Sequence, residues 1–408
     1  MSFNLILGRR GRASNGIGFR ATQPTTSNEL ITYSGEGHIM TFAPTGTGKT
    51  AGPVICNALR HEGQLIVLDM KGEVYRATAN ARRAMGQEVH VLDLRDGGLP
   101  GSLNPLDLAL RCGTELAAIA RSFSCELIER GDAERDRFWN DWAETLITGG
   151  ITWLLAHNPQ EERCISTFFD LLSGEDAAYQ IACVLDDKEV TSRAVYAAFH
   201  PFLELPEKET RPCVLGTTLA HLRLFDTDLT RRLTDSTSFD IDAFIDGKPM
   251  SQYIIIPPFR LSAYRPLLRL WLSGLILTLT QRQPHPDKRT LILCDEIGNL
   301  GKIDALLTAA TLMRSWGVRL WTIWQNAAQL SLYGTQANTF VDNAGIIQAF
   351  GVRNRRMAQE LSTLIGGIGP DEIMKMAANE QLLLIEGKLE RCRQTRYYDD
   401  PEFTERVK

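Results

Sequence analysis

Residues 43–50, Ala-Pro-Thr-Gly-Thr-Gly-Lys-Thr, have the types and spacing that grip a phosphate chain. They depart from the GxxxxGK(S/T) pattern only in having Ala43 for the first glycine. Gly46 and Gly48 let the backbone turn its N–H groups inward around an anion. Lys49 supplies a point charge to β- and γ-phosphates, and the Thr50 hydroxyl suits Mg2+. A helix beginning at this point adds its N-terminal dipole. Thr45, Gly46, Thr47, Gly48, Lys49 and Thr50 are therefore the candidate nucleotide-binding residues.

Such a loop needs a second, acidic strand. The run Leu-Ile-Leu-Cys-Asp295-Glu296 supplies four apolar residues and then two carboxylates, where ligands of parallel sheets bind. Asp295 is the candidate for holding Mg2+ through water. Glu296 is the candidate general base for an attacking water. Gln325 ends the next apolar run. It either senses a γ-phosphate or holds the attacking water, or it makes a local bond at a helix start. Arg314 lies eighteen residues after Glu296. It is either an arginine finger for a neighbouring subunit's nucleotide or an ordinary surface arginine.

The elements that must carry these residues read as α/β. Apolar runs at 38–43, 64–69 and 88–94 alternate with helical spacing, roughly 49–60 and to about 85. That alternation means a parallel sheet covered on both faces. Residues 1–36 are expected to be an irregular arm. From 114 to 235 helical spacing replaces strand runs, as in Phe138, Trp142, Leu146 and Ile147, so this stretch is expected to be an inserted all-α domain. Strand runs resume at 252–258, 290–296, 318–325, 345–351, 381–387 and 391–398. The expected nucleotide-binding domain is thus 37–113 together with 236–408. Asp69, Lys71 and Glu73 follow the second strand. They either shape the loop beside the nucleotide or face a pore, or they form a plain strand–helix turn.

Composition bounds the function. The chain has 408 residues, 44% hydrophobic and 23% charged, with a net charge of -5. That balance excludes a binder of nucleic acid over its whole surface, but not a local basic stripe. The basic clusters are Arg9, Arg10 and Arg12; Arg353, Arg355 and Arg356; and Arg391, Arg393 and Arg396. Each is either a solvated face or a pore lining. The eight cysteines show no CxxC spacing, which argues for reduced thiols rather than zinc. The most apolar long segment, 270–280, lies between Arg269 and Arg282 and is too short to span a bilayer.

Several stretches together resemble the type IV secretion, or conjugative, coupling proteins of the TraG/TraD kind. They are TFAPTGTGKT at 41–50, VLDMKGE at 67–73, SLNPLD at 102–107 and FWNDWAETLI at 138–147. LILCDEIGNLGKI, MRSWGVRLWTIWQ and its NAAQL tail complete the set, so the resemblance covers about 40–400. It implies a RecA-like P-loop ATPase with an all-α insertion, binding ATP and Mg2+. It also implies a homo-oligomer, a hexameric ring with nucleotide at subunit interfaces, that passes DNA–relaxase complexes or effector proteins to a channel. Lys49 and Thr50 take the Walker A roles, Asp295 and Glu296 the Walker B roles. Gln325 takes the glutamine-sensor role and Arg314 the arginine-finger role. The family's usual pair of N-terminal membrane helices is not seen in this sequence. The expectation is therefore a cytoplasmic location, or a peripheral one at the inner membrane through a membrane-anchored partner. A nucleotide-gated receptor that moves nothing, or a DNA-pumping ring in another process, are the alternatives.

Overall fold

The apolar runs form strands, and those strands build a single sheet. In the computed structural model residues 4–11, 29–113, 115–128, 137–285 and 287–407 are described. The strands are β1 (Leu5–Arg9), β2 (Leu30–Tyr33), β3 (His38–Phe42), β4 (Gln64–Asp69), β5 (Glu88–Asp93) and β6 (Met250–Ile255). β7 (Thr290–Cys294), β8 (Val318–Trp324), β9 (Ala344–Phe350), β10 (Glu380–Ile385) and β11 (Lys388–Arg393) follow. Their order across the sheet is β2-β1-β11-β10-β9-β3-β8-β7-β4-β6-β5. Six neighbours from β9 to β6 run parallel. β10, β11, β1 and β2 extend that block antiparallel.

The parallel strands are buried on both faces. β3, β4, β6, β7 and β8 show no exposed position at all. Continuous apolar runs of this kind need cover on each side. A buried polar ladder pins the register at their centre. Trp321 Nε1 donates to Thr41 Oγ1 at 2.8 Å, Thr41 Oγ1 to Gln348 Oε1 at 2.7 Å, and Gln348 Nε2 to Gln381 Oε1 at 2.6 Å. These bonds cross β8, β3, β9 and β10 in turn. A one-residue slip would strand every member without a partner.

Two sequence expectations need correction. The arm at 1–36 is not irregular throughout, because β1 and β2 lie within it. β1 is held by β11 and β2 and by Asn57, which accepts from Ile6 N at 2.8 Å and donates to Ile6 O at 2.9 Å. The Asn57 bonds span 51 residues and the β11 pairing nearly the whole chain, and a four- or five-residue run carries no local sign of them. The helix expected at 49–60 is a π-turn at Thr50–Val54 followed by a short α-helix, Ile55–Ala58. Pro53 lies inside the turn and has no N–H to donate, which spoils the regular pattern.

The chain divides into two compact units. The first comprises Met1–His90, Asp246–Ile256 and Gln283–Lys408. The second comprises Val91–Ile245 and Pro257–Arg282. From Pro105 to Ile245 every regular element among the described residues is helical, and the longest of them is Arg137–His157. The apolar segment 270–280 lies almost wholly in the helix Leu261–Leu279, which groups with this second unit. Trp271 there is fully buried, and its indole donates to Leu103 O at 2.9 Å. No helix among the described residues is long and apolar enough to cross a membrane. Arg12 lies outside the described residues.

Candidate functional site

The carboxyl ends of the parallel strands place the chemistry. The loop at 43–50 follows β3, and Asp295 and Glu296 follow β7, with β8 between. Gly46 and Gly48 have φ of 78° and 95°, values that L side chains rarely adopt. Thr47 is buried, and its hydroxyl donates to Pro44 O at 2.7 Å, closing the loop on itself. Thr45 and Gly46 are exposed at the rim.

The two halves meet directly. Thr50 Oγ1 donates to Asp295 Oδ2 at 2.8 Å, and Lys49 Nζ lies 2.9 Å from Glu296 Oε1. Burial pushes the Asp295 carboxyl up to about 6, and the Glu296 and Asp69 charges add to this. The Thr50 bond and the Lys49 charge oppose it. Asp295 Oδ1 is buried without a hydrogen-bond partner among the described residues. A buried carboxylate oxygen facing a phosphate loop with no donor is a fitting ligand for a hard cation such as Mg2+.

Glu296 occupies the left-handed region, with φ 56° and ψ 39°. A non-glycine residue there costs about 1–3 kcal/mol and marks a functional constraint. Both of its oxygens are engaged, Oε1 by Lys49 and Oε2 by Asn299 Nδ2 at 3.0 Å. The motif reading of the sequence did not single out Asn299, although it lies three residues downstream in the quoted run.

Gln325 follows β8, between the loop and the acidic pair, and is half-buried. Its N–H donates to Gln329 Oε1 at 2.8 Å. Arg314 is placed elsewhere. It is exposed in the turn Met313–Trp316 that precedes β8, at the amino end of the strands, and its charge acts on His38 and Arg319. The length of β8, roughly 20 Å at about 3.3 Å per residue, separates it from its own chain's loop.

The open reading of Asp69 is decided by its bonds. Its oxygens accept from Lys71 N at 3.3 Å, Glu73 N at 3.1 Å and Tyr75 N at 2.8 Å. It is a turn-forming carboxylate at the start of the helix Glu73–Ala84, while Lys71 and Glu73 are exposed. Gly351, which follows β9, was also not foreseen. Its φ is +69°, and a Cβ there would meet Thr47 Cγ2 at 2.2 Å. The glycine at the end of GIIQAFG was the only sequence sign.

A parallel sheet with a phosphate loop after one strand, and an acidic pair two strands away with Asp295 buried, defines a RecA-like P-loop nucleotide-binding protein. Residues 8–369 match the family of type IV secretory system conjugative DNA transfer proteins, and the chain belongs to that family. It is 23% identical over 386 residues to a conjugal transfer protein TraG of Escherichia coli, covering 89% of this chain and 60% of that protein. It is 25% identical over 351 residues to protein VirD4 of Rhizobium radiobacter, covering 83% and 49%. The chain thus spans about half to three-fifths of the length of these relatives. The unbound conjugative coupling protein TrwBdeltaN70 shares the fold, with a TM-score of 0.69 at 14% identity over 96% of this chain and 94% of that one. The plasmid coupling protein TrwB solved with ADP and Mg2+ has a TM-score of 0.67 at 14% identity, over 98% and 97%.

Proposed function

We propose that this protein is the ATP-hydrolysing coupling protein of a conjugative or type IV secretion system, working as a homo-oligomer, with a hexameric ring as the expected form. Its substrates are DNA–relaxase complexes or effector proteins, handed to a membrane-anchored partner. The observation that carries this reading is the direct meeting of Lys49 and Thr50 with Glu296 and Asp295. Membership of the family and the TrwB-like fold support it.

The residues account for binding and hydrolysis in order. Lys49 is paired with Glu296. A triphosphate entering the loop draws Lys49 onto its β- and γ-oxygens and leaves Glu296 without its cation. Glu296, fixed by its left-handed backbone and by Asn299, can then accept a proton from water attacking the γ-phosphorus while ADP leaves. Thr50 Oγ1 and Asp295 would hold Mg2+, which would neutralise phosphate charge when bound. Gln325, which follows β8, is the candidate to sense the γ-phosphate or hold the water. Arg314 cannot serve its own chain's loop and is assigned to a neighbour's.

The test is steady-state ATP hydrolysis with and without single- and double-stranded DNA. Wild type should turn over and be stimulated by DNA. Lys49→Ala should lose turnover, and Glu296→Gln should keep ATP binding while barely turning over. Full turnover by either variant would sink the assignment. Effector binding that depends on ATP, without stimulation by DNA, would favour a nucleotide-gated receptor over a motor.

A further inference from the structure

Gln325 and Glu296, the candidates for holding and for deprotonating the attacking water, follow different strands. Backbone pairing of β7 with β8 ends at Cys294 and Thr322, short of both residues. Beyond that point nothing in the β7–β8 ladder fixes how far apart the two strand ends lie. A side chain does so instead. We propose that Gln329 is a positioning residue for ATP hydrolysis, and that its amide sets the spacing between Gln325 and the turn that follows Glu296. The proposal rests on the ATP reading above.

The amide meets both sides of the site. Gln329 Oε1 accepts from Gln325 N at 2.8 Å. Its Cδ and Nε2 lie 2.4 Å from where a Gly298 side chain would begin, and its Oε1 2.6 Å. Gly298 stands two residues after Glu296, in the turn Ile297–Leu300. A glycine there lets the amide pack directly on the backbone of the acidic turn. Gln329 is itself anchored. Its N–H donates to Asn326 Oδ1 at 3.2 Å, at the start of the helical segment Ala327–Ala337. Buried Tyr333 in the same segment packs edge-on against Trp324 of β8, with ring centroids 6.2 Å apart, and its hydroxyl accepts from Ile303 N at 3.3 Å. The segment is thus bound both to β8 and to the chain after the acidic turn.

A helix cap alone does not account for this arrangement. In a capping box the third helical residue accepts from the N–H of the cap residue, here Asn326. Gln329 accepts instead from Gln325, one residue earlier, and a cap needs no contact with Gly298. Glu296 is held in left-handed backbone with its Oε2 on Asn299, so a shift of its turn against β8 carries the base away from Gln325. A misplacement of about 1 Å can cost roughly a hundredfold in rate. The phosphate loop follows a third strand, β3. Loss of the Gln329 tie should therefore lower kcat and spare nucleotide affinity.

The test is hydrolysis at saturating ATP beside calorimetric AMP-PNP titration, both on the full chain with Mg2+. Gln329→Met fills the same space without an equivalent acceptor. Its kcat should fall roughly ten- to a hundredfold, while AMP-PNP affinity stays within about twofold. Gly298→Ala should do the same, because the added methyl pushes the flexible amide off Gln325. That clash is with a side-chain end, so Gly298→Ala keeps the test decisive if Gln329→Met does not fold. Gln329→Ala vacates the space, so adding Gly298→Ala to it should cost less than about twofold more, and losses that multiply would overturn the coupling. A lower melting temperature with unchanged kcat would make Gln329 a helix cap only and overturn the proposal, as would affinity lost in step with kcat. If Lys49→Ala abolishes turnover but the Gln329 and Gly298 variants match wild type, the positioning role fails while the ATP reading stands. If wild type hydrolyses no ATP, the ATP reading fails and takes this proposal with it.

Discussion

Gly351→Ala probes the packing of the phosphate loop from below. The position needs φ of +69°, and a methyl there would lie 2.2 Å from Thr47 Cγ2 and 2.5 Å from Thr47 Cβ. Left-handed backbone alone costs an alanine about 1–2 kcal/mol. Forcing a methyl into a filled site adds about 1–3 kcal/mol. The total of roughly 2–5 kcal/mol must appear in one of two places. If the loop holds its shape, the apo protein loses stability. If Thr47 gives way, the cradle distorts and nucleotide affinity falls tenfold for each 1.4 kcal/mol or so absorbed there. Thermal denaturation and AMP-PNP titration of the same preparation read both. Adding Thr47→Ser removes the Cγ2 contact but leaves the Cβ, so it should recover part of the loss. A Gly351→Ala protein that melts and binds like wild type would refute this account of the loop.

Three further perturbations follow from the geometry. Mixing Arg314→Ala with Lys49→Ala subunits should restore part of the ATPase rate, because Arg314 stands at the far end of β8 from its own loop; no recovery at any ratio would return it to the surface. Arg314→Ala alone should lose roughly 10³-fold or more if it is a true finger. Asn299→Ala should lower kcat several-fold while AMP-PNP affinity stays within twofold, since it bonds only the second Glu296 oxygen; an affinity loss with kcat unchanged would reject this role. His38 enters the fold neutral, its pKa lowered to about 4 by burial first and then by the Arg319 and Arg314 charges. A depressed histidine contributes stability above the usual 6.5 and loses it as pH falls towards 4, at about 1.4 kcal/mol per pH unit. His38→Asn keeps an acceptor for Leu320 N, which lies 3.1 Å from His38 Nδ1, and removes the titration. Its melting temperature should therefore drop less than that of wild type between pH 6.5 and 4.5, and parallel curves would exclude the effect.

What the sequence makes legible divides by range. The phosphate loop and the acidic strand could be read because chemistry fixes their local spacing, and each sits at the end of a buried apolar run. Only the sheet order brings them together, with β8 between, and the alternation of strands and helices already implied a parallel sheet. β1 could not be read, because its partners are β11 and Asn57, far away in the chain. Asp69 stayed ambiguous for a different reason. A carboxylate after a strand looks the same whether it faces a ligand or caps a turn, and only the three N–H groups that consume its oxygens decide. The basic clusters show the same limit most clearly. In sequence Arg391, Arg393 and Arg396 are one patch, yet Arg391 is neutralised by Glu380 while Arg396 is carried on to the phosphate loop. What a charge faces is set by tertiary contacts with residues that run length and spacing do not reveal. The segment at 395–397 ties the chain just after β11 to the first turn after Lys49, through Tyr397 N donating to Ala51 O at 3.0 Å.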